Sequence, residues 1–122
     1  MTSSIEYVPK GWGYEKWIVN NEQYCGKLLF FEKGKRCSWH YHNIKDETFY
    51  LQSGLILLFY GEVDGLEDAE TLVLEPGDKF HIPVGLRHQS VALRTQTIQS
   101  LPTQPFDVLN LREYGTYFLV LV

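Results

Sequence analysis

The sequence predicts an all-β protein, built as a single antiparallel β-barrel with little helix. Short runs of β-branched, aromatic and aliphatic residues recur along the chain, and turn-forming residues separate them. No stretch has the sustained 3.6-residue apolar period of a long amphipathic helix. A chain of 122 residues has the length of one ordinary domain. We therefore expect one domain over residues 1–122.

The predicted strands are short and follow one another between turn signals. Residues 9–14 form a turn-rich start in which Trp12 is expected to cap one end of the barrel, and Asn20-Asn21 marks a hairpin turn. Prolines exclude residues 101–105 from any central strand. Residues 116–122 are either a last strand or a tail docked on a partner. Other strands are expected at 16–19, 24–31, 48–51, 55–60, 71–74, 88–93 and 95–98.

Two of these strands carry more apolar surface than one small barrel buries. Leu55 to Tyr60 is a run of six apolar residues without alternation, and Leu28 to Phe31 is apolar on both faces. Since a barrel interior covers one face only, the outer face needs a partner sheet, in the same chain or in another subunit. We expect a second copy of the chain, and therefore a homodimer.

Charge and hydropathy exclude two classes of function. Fifteen acidic against eleven basic residues leave a net charge of −4, which argues against a nucleic-acid-binding surface. No run of 18 apolar residues occurs, so no membrane span is expected. The N-terminus lacks the charged and apolar regions of a signal peptide. We expect a cytoplasmic protein whose Cys25 and Cys37 are reduced packing residues.

His40 and His42 are the first candidates for a metal site. Because side chains alternate along a strand, residues two apart leave the same face. Glu47 follows after a short polar break, at the start of a predicted strand that would return its carboxylate to the imidazoles. Two nitrogen donors and one oxygen donor suit a divalent transition metal. The same spacing also fits a polar edge strand with two exposed histidines.

The same alternation assigns directions to the neighbours of His40. Arg36 and Ser38 share its face, while Cys37 falls on the opposite face. An inward Arg36 would favour an anionic substrate group, whereas an arginine at the rim would only form a salt bridge. We expect Arg36, Ser38 and Phe49 to line the substrate cavity.

Two stretches, 34–54 and 77–92, resemble the two sequence motifs of the cupin family. The first motif is Gly, five residues, His-x-His, three or four residues, Glu, six residues and Gly. It is filled by Gly34, His40, His42, Glu47 and Gly54. The second is Gly, five residues, Pro-x-Gly, two residues, His, three residues and Asn. It is filled by Gly77, Pro83, Gly85 and His88, with Ala92 at the Asn position. The resemblance implies a cupin jelly roll.

The resemblance also implies a ligand set and a cofactor. In the family, the positions of His40, His42, Glu47 and His88 bind one divalent transition metal, here Zn, Mn, Fe or Ni. A second resemblance is to the cupin domain of type II mannose-6-phosphate isomerases. It covers residues 106–115 and the Trp12-Gly13 pair. It implies a metal-dependent sugar or sugar-phosphate isomerase.

Three functions remain open at this point, all of them directed at a small molecule. An isomerase needs an acid–base group, for which Glu47 and His81 are the candidates; His81 either faces the cavity or only packs. An iron- or nickel-dependent oxygenase is the second possibility, because a histidine-rich site with open positions supports dioxygen chemistry. The third is a non-catalytic cupin that binds a small, sugar-like ligand.

Overall fold

A computed structural model describes residues 2–93 and 116–122 as an all-β structure. Within these two ranges nine strands and one short 3₁₀ helix, Leu66–Asp68, are formed, and no helix is long and apolar enough to cross a membrane. The strands are β1 Glu6–Lys10, β2 Gly13–Asn20, β3 Cys25–Phe31, β4 Glu47–Ser53, β5 Ile56–Gly61, β6 Glu70–Leu74, β7 Lys79–Ile82, β8 Arg87–Ala92 and β9 Thr116–Leu121.

The strands form two antiparallel sheets that face each other, as the all-β jelly-roll prediction requires. The larger sheet has the order β1-β2-β3-β9-β4-β7, and the smaller has the order β6-β5-β8. Within the described residues the two sheets are not hydrogen-bonded into one closed cylinder. The segment 34–40 runs beside β8 and extends the smaller sheet through bridges at Arg36 and His40.

The core lies between the two sheets and is built by alternation. On β3, for example, Leu29 and Phe31 are buried, whereas Leu28 and Phe30 between them are only half-buried. Because successive side chains on a strand point to opposite faces, one set fills the interior and the other covers the outside. The buried apolar cluster draws on both sheets: Leu29, Phe31, Phe49, Leu51, Ile82, Phe118 and Val120 from the larger, and Ile56, Leu58, Leu74 and Ala92 from the smaller.

The last strand occupies the centre of the larger sheet. Residues 116–121, for which the sequence left a strand and a docked tail open, form β9 between β3 and β4. Gly54 has a φ of 84° and lies so close to Thr116 that a Cβ at Gly54 would overlap it. Gly34, Gly77 and Gly85 also have positive φ values, so all four motif glycines occupy backbone conformations that favour glycine.

Most strand predictions that fall on the described residues are confirmed, with differences at two places. The turn-rich start is instead a hairpin of β1 and β2, at whose tip Trp12 stacks on Phe31 with ring centroids 4.0 Å apart. The segment 36–42 is not the regular strand that the His-x-His argument assumed, because it makes only isolated bridges to β8. The predictions for 95–98, 101–105 and 106–115 lie outside the described residues.

Candidate metal centre

Three histidines meet at one end of the space between the sheets. His40 and His88 pair across the bridge between segment 34–40 and β8: each backbone N–H donates to the other's carbonyl, at 3.2 and 2.8 Å. The ring of His42 lies 5.0 Å from that of His40 and 5.4 Å from that of His88. One ligand nitrogen from each of the three lies within 4.8 Å of the others, a spacing that can hold one metal ion.

Outward anchors explain why both histidines of the His-x-His pair face the cavity without a regular strand. The Trp39 indole N–H donates to the carbonyl of Asp64 at 2.8 Å, and the Arg87 guanidinium stacks 4.0 Å from the Tyr41 ring. The carbonyl of His42 also accepts from the N–H of Gly85 at 2.9 Å. With the odd-numbered side chains held outside, the alternation of the backbone directs the even-numbered imidazoles inward.

Two of the imidazoles are oriented by backbone carbonyls. Nδ1 of His40 lies 2.8 Å from the carbonyl oxygen of Ser38, and Nδ1 of His88 lies 3.0 Å from that of Leu86. A carbonyl only accepts, so each Nδ1 carries the proton and each Nε2 keeps its lone pair. This is the outer-shell arrangement that fixes the tautomer of a metal-binding histidine.

Glu47 begins β4 beside the histidines and is 7% exposed. Its Oε1 lies 2.7 Å from Nε2 of His42 but outside hydrogen-bond geometry, so this buried oxygen has no hydrogen-bond donor among the described residues. A buried carboxylate oxygen without a donor is costly unless a cation compensates it. Three imidazoles, with this Oε1 of Glu47 beside His42, therefore fit a divalent cation.

The ionisation of these groups follows from their burial. Burial lowers the pKa of His88 to about 4, although the hydrogen bond to Leu86 opposes the shift. Burial, followed by the field of His40, lowers the pKa of His42. Both histidines are thus held neutral, which is the form that coordinates metal. Burial also raises the pKa of Glu47, so the metal-free site disfavours its charge.

The cluster opens onto a cavity of about 290 Å³, which the predicted residues line only in part. Ser38 and Phe49 line it, and the Phe49 ring meets His88 edge-on at 5.8 Å. Arg36 is exposed and is not among the described residues that line the cavity, so its assignment as a substrate-lining residue is corrected. The alternation argument fails there because Cys37 and Ser38, consecutive residues, both line the cavity.

Cys37 therefore lies on the side opposite to the one predicted. Its sulfur accepts the backbone N–H of Ser90 at 3.3 Å, and burial raises the pKa of its thiol, which keeps it protonated. Neither Cys25 nor Cys37 is part of a disulfide among the described residues. Both therefore act as packing residues, as predicted.

His81 lies outside the cavity. Its Nε2 is 2.8 Å from Oδ1 of Asp46, and the two side chains are 58% and 61% exposed. On β7 it stands one position from the buried Ile82, whose side chain takes the inward direction. The expectation of His81 as a cavity acid–base group is corrected, and Glu47 is the remaining candidate of the two.

Sequence reasoning missed four charged residues of the cavity wall: Lys10, Glu15, Lys27 and Lys45. The signal was present for Lys27, which alternates with Leu29 and Phe31 and so shares their inward face. That face could not be chosen from the sequence, because both faces of β3 are largely apolar.

Solved structures similar to this chain share its fold at low sequence identity. A cupin described as RmlC-like, from Shewanella frigidimarina, matches with a TM-score of 0.66 and 18% identity over 96% of this chain and 81% of its own. CapF, a capsular polysaccharide assembling protein from Staphylococcus aureus, matches with a TM-score of 0.71 and 14% identity. The match covers 98% of this chain and 30% of CapF. Oxalate decarboxylase of Bacillus subtilis, described with Mn(II) centres, matches with a TM-score of 0.68 and 19% identity. The match covers 99% of this chain and 30% of the decarboxylase.

These likenesses establish the cupin jelly-roll fold. No protein-family model matches the sequence, and neither does any curated protein.

Proposed function

We propose that the chain is a metal-dependent enzyme that isomerises a small sugar or sugar phosphate in the histidine-lined cavity. The observation that carries the proposal is the meeting of three imidazoles, one of which, His42, has a buried carboxylate oxygen without a hydrogen-bond donor beside it. His40, His42 and His88 would hold the ion, and Glu47 would complete the set. A bound divalent ion supplies Lewis acidity toward carbonyl and hydroxyl oxygens.

Glu47 is the acid–base group of this proposal. In the metal-free site burial raises the pKa of Glu47, whereas a bound divalent ion would favour the carboxylate, which is the form that accepts a proton as a general base. Phe49 and Phe118 line the same cavity, and Glu47 is only 7% exposed, so little water reaches its carboxylate. CapF is a capsular polysaccharide assembling protein, which supports a sugar-like ligand, and oxalate decarboxylase has Mn(II) centres, which supports a divalent metal.

The test combines metal analysis of the purified protein with a screen of aldose–ketose pairs, run with an oxygen electrode. We expect a bound divalent metal and sugar interconversion without oxygen uptake. His40→Ala should abolish both metal binding and turnover, while His81→Ala, which changes an exposed histidine, should leave both unchanged. Iron with oxygen uptake would replace the proposal by an oxygenase, and metal without turnover would indicate a binding protein.

We further propose that two copies of the chain associate through the outer face of the larger sheet. Four rings form a ladder across β1, β2, β3 and β9, with successive centroids 5.1, 5.0 and 4.9 Å apart: Tyr7, Tyr14, Phe30 and Tyr117. Such an apolar face is typical of an interface. Sedimentation should give twice the 14.2 kDa chain mass, and Phe30→Glu should give the single-chain mass. A wild-type mass of one chain would contradict the dimer.

A further inference from the structure

Three lysines line the same cavity as the histidine cluster. Lys10 comes from β1, Lys27 from β3 and Lys45 from the segment before β4. Against these three ammonium groups the cavity wall carries two carboxylates, Glu15 and Glu47. With neutral histidines the wall therefore has an excess of one positive charge, in a chain whose net charge is −4. A bound divalent metal would add to this excess.

Lys27 is the most enclosed of the three. Its side chain is 15% exposed and shares the inward face of β3 with Leu29 and Phe31. A lysine at such a position is uncommon, because an ammonium group loses hydration when it is buried. Its neighbours compensate only in part: the ammonium nitrogen lies 3.8 Å from Oε1 of Glu15 and 4.6 Å from the centre of the Trp17 ring.

Glu15 is shared among three donors and cannot neutralise both nearby lysines. Its Oε1 accepts the Trp17 indole N–H at 2.7 Å, and its Oε2 lies 3.9 Å from the Lys10 ammonium. Both lysine distances exceed the about 2.7–2.9 Å of a charge-assisted hydrogen bond. Two ammonium groups thus share one carboxylate, and each retains N–H donors for another acceptor.

We propose that Lys27, with Lys10 and Lys45, forms an anion subsite that binds a carboxylate or phosphate group of the cavity ligand. This inference rests on the proposed function and narrows its substrate class to sugars that carry an anionic group, either a phosphate or a carboxylate. The cavity, at about 290 Å³, holds one small molecule, so its anionic group and its sugar hydroxyls bind within the same enclosure. A positive cavity on an acidic chain also attracts anions ahead of neutral sugars.

The experiment is calorimetric titration of the metal-loaded protein with glucuronate, glucose 6-phosphate and uncharged glucose. We expect at least one anionic sugar to bind about tenfold or more tightly than glucose, with an affinity that falls as salt rises. Binding of the acid alone or of the phosphate alone identifies which anionic group the lysines recognise. Equal binding of glucose and both anions, or no binding of either anion, would overturn the inference.

Lys27→Met keeps the length of the side chain and removes its charge. It should weaken binding of the preferred anionic sugar about tenfold or more and bring its affinity close to that of glucose. Lys79→Met is the matched control, because Lys79 is exposed on β7, outside the cavity wall, and its loss changes the net charge equally. If the two variants weaken anion binding by the same factor, only the net charge of the protein matters, and the proposal of an anion subsite at Lys27 is wrong.

Metal titration of the same proteins separates this inference from the proposed function. Lys27→Met should still gain thermal stability on addition of metal, as wild type does, since Lys27 is not among the proposed ligands. A wild-type protein that binds no metal refutes the proposed function. A protein that binds metal but does not discriminate anionic from neutral sugars refutes the anion subsite alone.

Discussion

The two ends of the space between the sheets are built by the same strands but from opposite residue classes. At one end the inward positions are charged or titratable, and four residues further along each strand they are apolar. From the polar to the apolar end, the inward-facing side chains of three strands are as follows: on β3 Lys27, Leu29 and Phe31; on β4 Glu47, Phe49 and Leu51; on β8 His88, Ser90 and Ala92.

The difference separates stability from function within one interior. The apolar end removes side chains such as Leu51 and Leu58 from water, at 1% and 0% exposure. The polar end buries Glu47 against its preferred ionisation at neutral pH, which opposes folding unless a metal compensates, and it buries His88 in a neutral form that acid opposes. Local rules of good packing are typically broken at functional sites, and among the described residues between the sheets they are broken at the polar end.

The largest expected effect is at the apolar end. Leu58→Ala should lower the free energy of unfolding by about 2–5 kcal/mol, because a fully buried side chain leaves a cavity. Leu72→Ala is the matched control, since Leu72 pairs with Leu58 in register but is 41% exposed. Denaturant unfolding should show a loss less than half as large for the control. Equal losses would mean that the two ends do not differ in packing as described.

Acid should destabilise the metal-free protein through His88. Its pKa is lowered from 6.5 to about 4 in the fold, so between these values the unfolded chain binds the proton and the folded chain does not. Stability is therefore present above pH 6.5 and is lost as the pH falls toward 4, by about 3 kcal/mol. Glu47, with its raised pKa, acts in the opposite sense, because protonation relieves its buried charge.

Unfolding curves of metal-free wild type and His88→Gln across this pH range measure the effect. The variant should lose most of the pH dependence, whatever its absolute stability. A matched His81→Gln variant, changed at an exposed histidine, should keep the wild-type dependence. If metal-free wild type and His88→Gln show the same pH dependence from pH 6.5 to about 4, His88 is not held neutral.

A bound metal should offset the loss of folding stability that the buried Glu47 carboxylate causes at the polar end. At a hundredfold excess over its dissociation constant, a bound ion should stabilise the fold by about 2.7 kcal/mol. Titration of metal-stripped protein with manganese, iron, nickel and zinc, followed by melting temperature, should show this for at least one ion. Glu47→Gln should lose most of the gain, since a neutral amide offsets none of the ion's charge. A gain equal to that of wild type would exclude Glu47 as a ligand.

The same variant should behave differently without metal. Because burial raises the pKa of Glu47, its charge opposes folding at neutral pH, and a neutral side chain of the same shape removes that penalty. Metal-free Glu47→Gln should therefore be at least as stable as metal-free wild type at pH 7. Chemical unfolding in the presence of a chelator measures this, and a less stable variant would show that the carboxylate has a structural partner.

The smallest expected effect concerns the exposed pair of His81 and Asp46. A pair so accessible to solvent contributes about 0–1 kcal/mol, so His81→Ala should hardly change the unfolding midpoint. Its metal response should equal that of wild type, because the imidazole lies outside the cavity. A lost metal response in His81→Ala would contradict the placement of His81 on the outer surface.

The meeting of His40, His42 and His88 was implied by the resemblance of two sequence motifs to those of the cupin family, whereas the sequence by itself determined the all-β class and most of the strands. These predictions depend on local features: residue class along a run, turn residues, and glycines at positions that the fold holds at positive φ. Such features act over a few residues, so they are readable before the chain is folded.

Only the tertiary structure decided which face of each strand points inward and how far alternation extends. It placed Lys27 inside and His81 outside, and it brought Cys37 into the cavity while leaving Arg36 exposed. The physical reason is that alternation defines two faces without choosing between them, and an irregular segment can interrupt the alternation, as at Cys37 and Ser38. The choice is made by what packs against each face, as when β9, from the far end of the sequence, inserts between β3 and β4.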